Sequence, residues 1–160
     1  MMSRSLRGFT LIELILVIIL LGTLSISAVS RFNSHSFESA SVAAELISAI
    51  RYAQEMSMVN TGQDIDGDGN ADYYQVVIGA GGYSVSQNRS SDGVASAIAN
   101  PVSNESPYAS TWTNVSLSPV ITIKFDGLGE PNISASQTIS VTVGADSRNV
   151  IVEKVTGFTR

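Results

Sequence analysis

Four carboxylates crowd one short stretch of this chain: Asp64-Ile-Asp-Gly-Asp-Gly-Asn-Ala-Asp72 places aspartates at positions 1, 3, 5 and 9, with Asn70 at position 7. Ca²⁺ takes six to eight oxygens, and a tight Asp/Gly loop turns alternate side chains toward one centre. Asp64, Asp66, Asp68, Asn70 and Asp72 are therefore the candidate metal ligands. The competing reading is a polar turn between two elements, for which Asp, Asn and Gly are also the usual residues. Clustered like charges repel in such a turn and gain nothing there, which favours Ca²⁺. A second lone acid, Glu13, stands inside the apolar run Leu11-Ile-Glu-Leu-Ile-Leu-Val-Ile-Ile-Leu-Leu21. An acid at membrane depth costs about 2.5–3.5 kcal/mol on insertion scales and marks a functional position unless it reaches the headgroups. Other reactive chemistry is scarce. There is no cysteine, which excludes a disulfide framework, a Cys-ligated zinc and a thiol enzyme. The one histidine, His35, leaves little for a His-based triad or metal site and reads as solvated or interfacial. No catalytic residue is assigned, and four Asn-X-Ser matches, at Asn88, Asn104, Asn114 and Asn132, are assigned no role.

The elements that carry these residues follow from hydropathy and charge. The chain has 160 residues, 44% of them hydrophobic and 14% charged, with a net charge of −5. The acidic balance argues against nucleic acid as a partner. Phe9–Val29 would make a helix of about 32 Å at ~1.5 Å per residue, about one hydrocarbon core. Arg4 and Arg7 precede it without a balancing acid, which puts the N-terminus on the cytoplasmic side and the remainder outside the inner face. A cleaved secretory signal is the alternative, but it needs only ~7–15 apolar residues. The position-12 glutamate that completes an EF-hand loop is replaced by Gln75, so the acidic segment is at most a shorter Ca²⁺ loop.

Gly8-Phe-Thr-Leu-Ile-Glu13-Leu, after a short basic leader and before an apolar helix, resembles the signal of type IV pilins and pseudopilins. That resemblance implies cleavage by a membrane prepilin peptidase between Gly8 and Phe9, and N-methylation of Phe9. It also implies an assembly role for Glu13, pairing with the new α-amino group of a neighbouring subunit. The amine has a reference pKa of ~7.7–8.0 and can be positive, and two charges in a low-dielectric setting are tolerable only when paired. Loss of Arg4 and Arg7 with the leader takes the charge from −5 to −7.

Beyond Val29 the pattern becomes one-sided. Val42, Leu46 and Ile50 recur at four-residue spacing, with Phe37, Ala43, Ile47, Ala53 and Met56 near the same stripe and Glu38, Glu45, Arg51 and Glu55 able to face solvent. The spacing predicts one helix from about Phe9 to near Val59. Strand-like alternation follows at 73–78, 83–86, 120–125, 138–143 and 149–153, with a hairpin at Gly79-Ala-Gly-Gly82 and weakly patterned sequence from Asn88 to Pro119. Trp112 in that stretch reads as a packing anchor. The fold class is α+β: a long N-terminal helix packed on a small antiparallel sheet assembly. The organisation is a leader (1–8), a membrane and filament-core helix (9–29) and a periplasmic globular domain (30–160).

Ile121-Thr-Ile-Lys-Phe-Asp-Gly-Leu-Gly129, then Arg148-Asn-Val-Ile-Val and Gly157-Phe-Thr-Arg160, resembles H-type minor pseudopilins and their pilus counterparts. The Ser/Asn-rich character is similar to minor prepilins of mannose-sensitive haemagglutinin pili. These resemblances imply a non-enzymatic minor pilin acting in assembly initiation at or near the filament tip. Because it keeps Glu13, it would lie below the outermost subunit. Implied partners are other major and minor pilins, prepilin peptidase, an inner-membrane assembly platform and inner-membrane lipid. Implied locations are the bacterial inner membrane, single-pass, and then the filament. An H-type pseudopilin of a type II secretion system and an adhesive minor pilin, contacting its target through 88–119, remain the alternatives. A signal-anchored hydrolase lacks the nucleophile–base set it would need.

Overall fold

A computed structural model describes residues 9–29, 34–60, 72–88 and 95–160. The chain divides into two compact units, Met1–Ser34 and His35–Arg160. In the first, helix α1 spans Leu11–Val29. Thr10 starts it: its carbonyl accepts the Glu13 and Leu14 N–H groups at 3.1 and 3.2 Å, and its hydroxyl accepts the Glu13 N–H at 3.3 Å. Further along, the Thr23 and Ser25 hydroxyls donate back to the Leu20 and Leu21 carbonyls at 2.9 and 2.8 Å. Those bonds satisfy the hydroxyls within the helix, so its surface remains effectively apolar.

Helix α2 spans Ser34–Val59, and all of it but Ser34 belongs to the second unit. A single helix from Phe9 to Val59 was expected; the join between α1 and α2, residues 30–33, lies outside the described residues. The stripe on α2 is as the spacing requires: Val42, Leu46, Ala49, Ile50 and Ala53 are buried. Phe37 is the exception, 80% exposed. Five residues before Val42 it is rotated about 140° from the stripe at 3.6 residues per turn, so it faces outward.

Among the described residues α2 packs on eight antiparallel strands in two sheets. The first sheet has the order β3 (Ala95–Ala97), β2 (Gly82–Asn88), β1 (Tyr73–Gly79), β6 (Ile121–Phe125), with β4 (Ala109–Thr111) also paired to β2. The second has the order β5 (Val115–Ser118), β7 (Gln137–Val143), β8 (Asp146–Val152). The predicted hairpin forms with Gly79 opposite Gly82. Gly82 is needed for a steric reason: a side-chain carbon there would overlap the Ser110 carbonyl of β4. The inward residues of β1, β6, β7 and β8, including Val76, Ile78, Phe125, Ile139, Val141 and Val150, join the α2 stripe in one core. β1, β6 and β7 thus bury alternate residues, as their sequence patterns demand, and β8 does so from Val150 on. The 88–119 stretch supplies β3, β4 and β5, and Trp112 within it packs against the core, as anticipated for an anchor.

Two polar side chains of α2 hold the last residues of the chain. The Arg51 guanidinium donates to the Thr159 carbonyl at 2.7 Å and lies 5.8 Å from the centroid of the Phe158 ring. The Gln54 amide donates to Gly129 O at 2.8 Å and to Thr156 O at 2.7 Å, joining the loop after β6 to the loop after β8.

Candidate functional site at the start of the first helix

The site grows from Thr10. With Thr10 capping, Leu11 opens the helix and Glu13 takes the third helical position, the Thr-x-x-Glu spacing of a capping box. A carboxylate there faces the positive end of the helix dipole. Phe9 lies just before the cap and is 80% exposed, and the Glu13 side chain is exposed one turn on. The structure thus places Phe9 and Glu13 within about one turn of each other at one helix end, both exposed. Gly8 lies outside the described residues. Thr10 is the functional residue that the reading of the sequence left out, although its signal, a Thr three residues ahead of Glu before an apolar run, was in plain view.

Around the carboxylate the helix offers only apolar surface. Leu11, Ile12, Leu14, Leu16, Ile18 and Leu24 are each more than half exposed. Isolated exposed leucines are ordinary, but a continuous helix of them must be covered by lipid or by other chains. At 19 residues α1 measures about 28 Å, a little under a ~30 Å hydrocarbon core. Among the described residues no helix is long and apolar enough to cross a membrane.

The acidic segment divides. Asp64, Asp66, Asp68 and Asn70 lie outside the described residues, whereas Asp72 is buried at the entry to β1. The ends of the segment are tied together: the Asn60 amide donates to the Tyr74 hydroxyl at 3.2 Å and the Tyr74 N–H donates to the Ser57 hydroxyl at 3.1 Å. Gln75 is on β1 and donates to the Ser86 hydroxyl at 3.1 Å. Its side chain is therefore committed to the neighbouring strand. Among the described residues no three His, Cys, Asp or Glu side chains gather as a metal site. His35 is exposed on α2, its ring against Gly144, 3.4 Å from where a side-chain carbon would sit.

Buried ionisable groups occur elsewhere, in an aromatic cluster between α2 and the first sheet. The Tyr83 hydroxyl donates to a Glu45 carboxylate oxygen at 3.1 Å. The Tyr83 ring sits 6.1 Å from that of Tyr108 and 5.9 Å from that of Trp112, and Tyr52 stacks edge-on to Tyr108 at 5.6 Å. Burial foremost, and then the Glu45 charge, push the Tyr83 phenol well above its ordinary range; burial likewise raises Tyr108. Both are neutral structural phenols at physiological pH.

Residues 3–29 match the prokaryotic N-terminal methylation motif. The N-terminus is therefore of the prepilin type. A solved structure with similarity to the chain is that of the type IV minor pilin FimU of Pseudomonas aeruginosa (strain PAO1), 13% identical, with a TM-score of 0.49, covering 76% of this chain and 90% of that one. At that identity the likeness bears on neither role nor partners. No curated protein matches the chain.

Proposed function

We propose that the protein is a minor type IV pilin that is cut after Gly8 by prepilin peptidase, methylated on Phe9, and recruited to the complex that starts a pilus at or near its tip. The observation that carries this reading is the N-terminal site: a methylation motif over residues 3–29 that takes in the whole of the apolar helix α1, whose first turn presents Glu13. Before assembly, Phe9–Val29 would rest in the inner membrane with residues 30–160 outside it. After assembly the same apolar surface would be covered by other pilins. Glu13 supports recruitment because it is exposed beside Phe9, so that the new amine of a neighbour can pair with it. Mass spectrometry of filament-associated protein tests the proposal. It should find a chain beginning at methylated Phe9, and Gly8→Val should leave the precursor uncut. Recovery of assembled chains that retain Met1 would overturn it.

The 64–72 segment is proposed to bind Ca²⁺ through Asp64, Asp66, Asp68, Asp72 and Asn70. Alternate oxygen spacing supports this, and the flanking residues Ser57 and Asn60 are both bonded to Tyr74. Service as an H-type pseudopilin in type II secretion would use the same processing and the same Glu13 pairing, and the genes beside this one would separate the two roles.

A further inference from the structure

The chain has one tryptophan, Trp112, and it is half-buried. Its ring lies 5.9 Å from that of Tyr83, centroid to centroid, and tilted by 47°. Among the described residues Tyr83 is its one aromatic neighbour. Tyr83 itself is 4% exposed, with the buried Tyr108 ring 6.1 Å away. A buried phenol needs a partner for its O–H, and a backbone carbonyl or an amide would serve. Here the partner is a base: the Tyr83 hydroxyl donates to a Glu45 carboxylate oxygen at 3.1 Å. Glu45 is exposed on α2. Three groups therefore follow one another in contact: an indole that solvent reaches, a phenol shut away from it, and a carboxylate open to water again.

That order suits one-electron oxidation. A phenol gives up an electron easily only when its proton can leave at the same time, because the oxidised phenol is a strong acid. Before oxidation, burial and the Glu45 charge keep the proton on Tyr83. Loss of an electron reverses that preference, and the acceptor is already hydrogen-bonded. We propose that Trp112, Tyr83 and Glu45 form a one-electron relay that moves an oxidising hit from the surface indole to the buried phenol. An oxidising radical, such as azidyl or carbonate radical, takes an electron from Trp112, and the indole N–H proton passes to water. An electron then moves from Tyr83 to the indolyl radical, which regains a proton from water as intact tryptophan. The phenolic proton of Tyr83 goes to Glu45 and on to water. In sum, the oxidant is reduced by one electron, one Tyr83 O–H bond is broken, and one proton is released. The tyrosyl radical is too buried to couple with a second phenol. A reductant such as ascorbate returns its electron, and the proton comes back through Glu45. With no cysteine in the chain, no thiol of its own can do this. The relay operates whether or not the chain enters a filament.

Pulse radiolysis of the full chain in detergent tests it, with azidyl radical as the oxidant because it attacks indole ahead of phenol. In the parent protein the indolyl absorption should give way to tyrosyl absorption in a first-order step whose rate is unchanged on dilution. Tyr83→Phe should leave the indolyl radical to decay without tyrosyl growth, whereas Tyr108→Phe should keep the transfer. Glu45→Gln still offers the hydroxyl an acceptor but cannot take its proton, and should slow the transfer on the order of 10²-fold, as loss of a positioned base does. Circular dichroism checks that each variant is folded; should Tyr83→Phe fail to fold, Glu45→Gln, at an exposed position, decides. Indolyl decay without tyrosyl growth in the parent would overturn the proposal, as would a rate that rises with protein concentration. Undiminished transfer in Tyr83→Phe would remove Tyr83 as the donor. An unchanged rate in Glu45→Gln would remove the base and reduce the cluster to packing.

Discussion

Alkaline pH should weaken this protein through Tyr83 and Tyr108. Folded, both phenols are held above their ordinary value of 10.0 by burial, reinforced at Tyr83 by the Glu45 carboxylate. Unfolded, each loses its proton near pH 10, so above that pH the unfolded chain binds fewer protons than the folded one and stability falls as pH rises. The loss is absent below about pH 9 and reaches about 1.4 kcal/mol at pH 11 for Tyr83, with Tyr108 acting in the same direction. Urea unfolding of the full chain in detergent, followed by far-ultraviolet circular dichroism from pH 8 to 11, measures it. Tyr83→Phe sharpens the test. At neutral pH it loses the 3.1 Å bond to Glu45, worth about 0.5–1.5 kcal/mol because the exposed carboxylate returns to water. At pH 11 it no longer carries its share of the alkaline loss. The stability curves of parent and variant should therefore cross between about pH 10 and 11. An unfolding midpoint unchanged to pH 11, or two curves that stay parallel, would show that these phenols titrate alike in both states and would refute the account of the cluster.

Glu13→Ala should leave membrane insertion intact, since losing an acid favours the bilayer by up to about 3 kcal/mol, yet should abolish cross-linking to other pilins; equal co-assembly would end the pairing account. Millimolar Ca²⁺ should raise the melting temperature over that in chelator, with a dissociation constant of about 10⁻⁴–10⁻³ M, and Mg²⁺ should do less. Asp66→Ala with Asp68→Ala should remove that increment, and a flat Ca²⁺ series would return the segment to a polar turn. Gly157→Ala should cost about 2–4 kcal/mol in urea unfolding. Gly157 has φ +63°, and a side-chain carbon there would overlap the Gln54 amide and sit 2.7 Å from Gly129 O. The left-handed strain contributes about 1–2 kcal/mol and the disturbed Gln54 bonds supply the rest. A loss below about 0.5 kcal/mol would show that the Gln54 junction gives way freely.

The sequence by itself determined what depends on neighbours along the chain. A Gly-Phe-Thr motif before an apolar run broken only by Glu13 marks a prepilin-type N-terminus, because motif, cap and hydropathy are all local. Alternation fixed which residues of β1, β6, β7 and β8 face the core, since a strand has only two faces. The α2 stripe was legible for the same reason, apart from Phe37, where proximity in number was taken for proximity around the helix. Only the tertiary structure decided the rest. The division into two sheets, the pairing of β4 with β2 through Gly82, and the meeting of Tyr83 with Glu45 join residues far apart in sequence, and no period encodes them. Arg51 reads as an ordinary solvent-facing residue, yet it and Gln54 fasten segments more than 70 positions away. Whether a backbone N–H is paired depends on which other strand arrives beside it, and that is settled when the chain packs, not when its residues are strung together.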